Sequence, residues 1–342
     1  MIASLSTPLL LGVFTLAGLI VVISSIKATG LADVIADRTR MGEALAGGIV
    51  LGAATSLSGI VVSVSVAAQG DASFAFSNAV GGIAAQTFFL ALADMLHRRA
   101  NLEHSAAEPA NLFQAVMLIV LLSIPLAATA APDFAIWGIS PASVVLFLAY
   151  LGGTKLATQV SETPMWKPVE TRETRRDEPE DEEEANRSPR GPILVFVGLV
   201  VIMGLSGWVI SQAGQEFVTR FSLSSSLVGA LLTAVVTSLP ELVTTLTAVR
   251  RGALQLAIGG IIGGNTFDTL FLVFSDGAYR DGSLYHAVSM SDLYWLATGL
   301  MMTGVLLGGL ILRQKDGPAR IGIESLLLVA IYASAVVLQV LA

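Results

Sequence analysis

The feature that most constrains this chain is an internal duplication set inside apolar runs. Thr55-Ser56-Leu57 recurs without a gap as Thr237-Ser238-Leu239. At the same spacing Gly70, Gly81 and Gly82 recur as Gly252, Gly263 and Gly264, and Thr87, Phe89 and Leu90 as Thr269, Phe271 and Leu272. Each copy lies in a stretch long enough to cross a bilayer, where backbone hydrogen bonds must close within helices. The second copy adds what packing does not require. Glu241, directly after Pro240, and Asp268 are carboxylates at positions where an ionised side chain costs about 3 kcal/mol or more unless it is paired. They are the first functional candidates. A duplication with a broken helix in each half marks a secondary transporter with its site at the repeat interface.

Composition agrees with the duplication. Hydrophobic residues make up 54% of the chain and charged residues 13%, against about 25% charged in an average soluble domain. The apolar runs predict spans near 7–28, 43–68, 72–96, 111–131, 140–158, 192–213, 224–249, 253–275, 287–311 and 320–341. The first lacks a basic start and a small-residue cleavage site and reads as a retained span. The expected fold is therefore an all-α integral membrane protein of about ten transmembrane helices, in two inverted-topology five-helix repeats. Residues 1–158 form the first repeat, 159–191 a linker and 192–342 the second.

Alternate connections place Lys27/Arg38/Arg40, His97-Arg98-Arg99, the linker, Arg250-Arg251 and Arg313/Lys315/Arg320 on one side. Gln69-Gly70-Asp71, Pro132-Asp133, Arg220 and Arg280 fall on the other. The basic bias assigns the first set to the cytoplasm and both termini to the outside of a cell (inner) membrane. An odd number of helices per half then makes the halves oppositely oriented. The net charge of −7 describes mainly the linker, which carries the run Asp177-Glu178-Pro179-Glu180-Asp181-Glu182-Glu183-Glu184 and reads as a disordered cytoplasmic hinge. His97, His104 and His286 read as solvated side chains near span ends, Asp94 as a helix-end salt bridge, and Asp276, Asp281 and Asp292 as a solvated outer cluster.

The absence of cysteine excludes disulfides and thiolate-metal chemistry. No glycine-rich turn follows a strand, and no base-nucleophile set appears, so nucleotide binding and catalysis find no support. No cofactor is expected and no nucleic acid; the expected partners are inorganic cations and membrane lipids, and the sequence does not specify an oligomeric state. Small residues crowd both repeats and suit close helix packing. Pro240 removes a backbone donor before Glu241, and nearby glycines weaken the following helix, freeing carbonyls toward a cavity. Carboxylate, hydroxyl and carbonyl together form an all-oxygen set suited to hard cations such as Ca²⁺ and Na⁺.

The stretch Thr237-Ser238-Leu239-Pro240-Glu241-Leu242-Val243-Thr244, with Arg251-Gly252 and Gly259-Gly260-Ile261-Ile262-Gly263-Gly264-Asn265-Thr266-Phe267-Asp268, resembles the α-repeat of the sodium/calcium exchanger superfamily. The resemblance implies that Thr237, Ser238, Glu241 and Asp268 supply ligands or carbonyl donors, with Thr55, Ser56 and Gln86 serving from the first repeat. Asn78 retains an asparagine of the family motif where the second repeat has Gly260. The first repeat is degenerate: Gly59 replaces its glutamate, Ser58 its proline, and Gln86 is the uncharged counterpart of Asp268. The resemblance implies a secondary-active antiporter exchanging Ca²⁺ against Na⁺ by alternating access, with those cations as substrates. Two other readings stand beside it: a monovalent cation (Na⁺ or K⁺)/proton antiporter, for which one carboxyl is enough, and a non-transporting membrane scaffold.

Overall fold

The computed structural model describes residues 2–39, 52–97, 101–106, 108–167, 169, 190–315, 317 and 321–341. Its helices are α1 (Thr7–Thr39), α2 (Gly52–Ala67), α3 (Ala72–Leu96), α4 (Leu102–Ser105), α5 (Pro109–Ala130), α6 (Pro141–Glu162) and α7 (Arg190–Phe221). They continue as α8 (Ser225–Thr237), α9 (Leu239–Arg251), α10 (Leu254–Asp268), α11 (Leu270–Ala278), α12 (Met290–Leu312) and α13 (Ile323–Leu341). Among the described residues eight helices are long and apolar enough to span a membrane, with α10 and α11 taken as one. The pair α8 and α9, bent by 43°, supplies a ninth, and α2 occupies the tenth position. Residues 43–51 of the expected second span, Arg40, Arg98, Arg99, Arg320 and the acidic run 170–189 lie outside the described residues.

Local chemistry fixes the helix ends. Asp71 caps α3 by accepting from the Phe74 N–H at 3.0 Å, and Pro109 and Pro141 open α5 and α6 where a missing N–H costs nothing. Ser289 and Asp292 form a reciprocal capping box on α12. Gly70 and Gly252, equivalent in the duplication, both stand in the left-handed region, with φ of 86° and 83°. Each turns the chain between the two central helices of its repeat, as only glycine does freely. Shifted by the repeat spacing, α3 falls on α10–α11, from Ala72 at Leu254 to Leu96 at Ala278. The duplication is thus repeated helix by helix.

The centre consists of α2, α3, the broken pair α8–α9 and α10–α11, with α1 and α7 packed together on one flank and α5, α6, α12 and α13 on the other. Close approach there depends on glycine: a Cβ at Gly81 would sit 2.5 Å from the Ala230 Cα, and one at Gly229 would sit 2.7 Å from the Phe74 carbonyl oxygen. The peripheral helices turn apolar side chains outward, among them Leu9, Leu16 and Leu19 on α1 and Leu194, Val201 and Leu205 on α7. Such a surface suits lipid and marks an integral membrane protein.

The connections group as the alternation requires. At one end the Arg220 guanidinium donates to the carbonyls of Leu5 and Ala3, Ser225 to Asp71, and Arg280 to the Trp137 carbonyl. At the other end the Asn101 N–H donates to the Lys315 carbonyl, and Arg313 donates to the carbonyls of His104 and Val169.

Candidate cation site

Two breaks in the second repeat converge on one place. Ser238 interrupts the helix between α8 and α9. Pro240, at the start of α9, has no N–H for the carbonyl four residues earlier. Residues Val228–Thr233 within α8 form a π-helical turn, a wider winding common at functional sites. Glu241 then lies in the first turn of α9, and Asp268 closes α10. Glu241 is 5% exposed and Asp268 2%.

Across from them stands the unbroken α3. Gln86 donates its amide to Asp268 Oδ2 at 2.6 Å and to Ser238 Oγ at 3.3 Å. Gln86 and Asp268, separated by 182 residues, are repeat equivalents. Two equivalent side chains can hydrogen-bond to each other only near the pseudo-twofold axis relating the halves, so this bond places that axis at the site. The cavity between them is lined by Ser56, Gly59, Asn78, Gly82, Gln86, Thr237, Ser238, Glu241, Asp268 and Phe271, and has a volume of about 10 Å³. That is room for about one water-sized species.

The polar atoms left over are informative. Ser56 Oγ, Gln86 Oε1, Glu241 Oε2 and Asp268 Oδ1 are buried without a hydrogen-bond partner. Ser56 lies beside the Asp268 carboxyl and Thr55 beside the Glu241 carboxyl. Buried acceptors without donors are costly unless something electropositive joins them. Such a set has the all-oxygen chemistry that a hard cation takes. Among the described residues no group of three or more His, Cys, Asp or Glu is placed to hold a metal ion. The set accordingly combines two carboxylates with hydroxyl and amide oxygens.

Other residues singled out in the sequence make hydrogen bonds of their own. Asn78 lines the cavity but donates to the Gly59 carbonyl at 3.2 Å and Ser63 Oγ at 2.8 Å, and accepts from Thr233 Oγ1 at 2.7 Å. Its amide thereby ties α2, α3 and the π turn together. The Thr237 hydroxyl donates to the Thr233 carbonyl at 2.9 Å, inside its own helix. Asp276 and Asp292 are wholly buried, against the expectation of a solvated cluster. Asp276 accepts from Ser143, Ser140 and Leu284, and Asp292 from Ser73, Ser77 and Ser289, so these carboxylates staple loops instead of meeting water. Asp94 accepts from the N–H groups of Leu102 and Gly322. His104 is also buried, with Nδ1 donating to the Arg313 carbonyl at 2.7 Å.

Phe271 is the wall residue that reasoning from the sequence left among the apolar matches. A Cβ at Gly59 would lie 2.5 and 2.9 Å from its ring carbons. The ring therefore fills the place that a side chain at Gly59 would need. Only the match between Phe89 and Phe271 pointed to that position, and it carried no chemistry.

The model of the family described as sodium/calcium exchanger protein matches residues 9–154 and 190–341, nearly the whole of both repeats. The chain belongs to the sodium/calcium exchanger protein family. Among curated relatives, an uncharacterized membrane protein of Methanocaldococcus jannaschii is 30% identical over 107 residues, covering 30% of this chain and 33% of the relative. A sodium/calcium exchanger of Methanosarcina acetivorans is 27% identical over 114 residues, 33% of this chain and 30% of the relative. These matches thus span about a third of the relatives' length. The fold match is far more extensive. A crystal structure of an H⁺/Ca²⁺ exchanger superposes with a TM-score of 0.65 at 14% identity, over 97% of this chain and 86% of the other. A structure of the sodium-calcium exchanger NCX_Mj gives 0.64 at 17% identity, over 97% and 99%. The architecture is therefore the family's ten-helix inverted repeat.

Proposed function

We propose that this chain is a secondary-active antiporter that exchanges Ca²⁺ against Na⁺ by alternating access, binding the cation between Glu241 and Asp268. The observation that carries the reading is the enclosed set of partnerless oxygens from both repeats, Ser56 and Gln86 from one and Glu241 and Asp268 from the other. Two carboxylates neutralise one Ca²⁺, and the uncharged oxygens complete a hard-ligand shell. Thr237 and Ser238 contribute at the break in the helix, Thr55 orients Glu241, and Asn78 frames the site. Because ligands come from both halves, rocking one half against the other opens the cage toward one side at a time.

A second reading, proton coupling, rests on the same cavity. The cavity has room for about one cation. When that cation leaves, two enclosed carboxylates must be neutralised by something small. Na⁺ and H⁺ both answer that description. The test is uptake of radiolabelled Ca²⁺ into proteoliposomes under an imposed Na⁺ gradient, repeated with a pH gradient alone. Uptake driven by Na⁺ supports the first reading and uptake driven only by pH the second; absence of Ca²⁺ flux under both overturns Ca²⁺ as substrate.

Orientation and the linker give two further expected results. Both termini face the outside of a cell (inner) membrane and the linker the cytoplasm, so single cysteines at Ser4 and Ala342 react with an impermeant thiol reagent applied outside, while one at Asn186 does not. Labelling of Asn186→Cys alone would invert the topology. Replacing residues 170–188 with a Gly/Ser spacer of equal length leaves exchange within about twofold of the parent, since that acidic run cannot supply a packed element of the ion path. Loss of exchange in a normally inserted spacer variant would make the linker part of the mechanism.

A further inference from the structure

Away from the transport cavity, α3, α4 and α13 bring three carboxylates together. Asp94 lies in the last turn of α3, Glu103 in the short α4 and Glu324 in the first turn of α13. All are buried, Glu103 completely. Their environments differ. Asp94 is satisfied as an anion, since one oxygen accepts from the Leu102 N–H at 2.9 Å and the other from the Gly322 N–H at 3.0 Å. Neither Glu103 oxygen has a hydrogen-bond partner, nor has Glu324 Oε1, and Asp94 draws the two to one place by holding the neighbouring N–H groups of Leu102 and Gly322. Gly309 and Gly322 clear the space in which the Glu324 side chain lies. Two buried carboxyls gathered at one place with partnerless acceptor atoms lack a hydrogen.

Among the described residues, those that bear on Glu103 are Asp94 and Glu324, both acidic. Arg313 turns its terminal nitrogens to the carbonyls of Val169 and His104, and the His104 ring donates to the Arg313 carbonyl. His97, Glu108 and Lys315 at this end each take part in a further interaction. The first turn of α10, which packs on α4, carries no charge, and Arg250 and Arg251 precede it.

We propose that Glu103 and Glu324 bind and share one proton, forming a proton site separate from the transport cavity that locks α3 and α4 to the first turn of α13. With the proton in place, one carboxyl donates to the other and the cluster carries no more than two negative charges. Without it, three carboxylates repel in an enclosed space and the lock opens. The same α3 carries Gln86 and Asp94, so the lock bears on a helix that walls the cation cavity.

The direction of the pH dependence follows. Burial first, then the charges of Asp94 and Glu324, holds the Glu103 carboxyl well above its ordinary value. A group raised on folding contributes stability that is complete below its unfolded pKa and is lost as pH rises through the folded one. Local protection at this end therefore falls on going alkaline.

Hydrogen exchange followed by mass spectrometry on the purified full chain in nanodiscs, corrected for intrinsic exchange, tests this. Protection of the segments holding the Leu102 and Gly322 amides should fall between pH 6 and 9 by up to about tenfold per pH unit, the slope of a one-proton linkage. Glu103→Gln, which supplies a permanent donor, should retain protection across that range, and Glu324→Gln should do the same. Parent protection that does not change with pH, or a fall of equal size in either amide variant, overturns the proposal. The parent alone decides it if both variants fail to fold.

Discussion

Glu241→Gln and Asp268→Asn should each abolish Ca²⁺ uptake in proteoliposomes while leaving insertion and size-exclusion behaviour unchanged. All the acid at the site comes from the second repeat, because Gly59 and Gln86 stand at the equivalent positions of the first. A divalent cation in a cavity of about 10 Å³ then depends on both carboxylates for neutrality. Removing one leaves a buried unbalanced charge, a loss on the order of 3 kcal/mol or more, which is roughly 100-fold or more in affinity. The proton-coupled monovalent reading gives a different pattern. One carboxyl is then enough, and one of the two amide variants keeps cation/H⁺ exchange with steep pH dependence. If both variants transport Ca²⁺ at the parent rate, the cation is bound elsewhere.

The second large effect concerns the missing first-repeat acid. From sequence alone, restoring it by Gly59→Glu adds a third carboxylate and strengthens divalent binding. The structure alters that expectation, because the Phe271 ring occupies the space a side chain would enter. Overpacking of this kind costs about 1–3 kcal/mol. Gly59→Glu alone should therefore lower thermal stability without tightening Ca²⁺ binding. Combined with Phe271→Ala, which empties the ring's volume, it should recover stability and bind Ca²⁺ more tightly than the parent, by about tenfold or more for an added buried carboxylate on a hard cation. Calorimetric titration of Ca²⁺ together with thermal unfolding reads both quantities. Equal affinities in the parent and the double variant would separate Gly59 from the site.

Much of this molecule was legible in its sequence because a bilayer permits few solutions. Apolar runs of the right length had to be helices, and the unbroken duplication fixed which helices correspond, so that α3 and α10–α11 align end to end. Glu241 and Asp268 stood out for the same reason, as charges in a place where charge needs a partner. Distant side chains were not legible. Nothing local distinguishes Asp276 and Asp292, saturated by serine hydroxyls and backbone N–H groups from other segments, from loop acids in water. Nor does any pattern reveal that Asn78 spends its amide on Gly59 and Ser63, or that Glu103 and Glu324, far apart in the chain, meet in the fold. Phe271 was counted as an apolar match between repeats. Its importance lies in the empty position opposite, which appears only when the two halves are brought together.

On the proposed reading one cation sits on the axis between the halves, held by carboxylates from only one of them. The most direct measurement is the anomalous diffraction of crystals soaked with Sr²⁺, a heavier hard cation that reports on a Ca²⁺ site. The expected result is a single peak inside the cavity, about 2.3–2.6 Å from oxygens of Glu241 and Asp268, with Gln86 Oε1 or Ser56 Oγ completing the shell from the first repeat. A peak that touches neither carboxylate, or protein that takes up Sr²⁺ only outside this cavity, would contradict it.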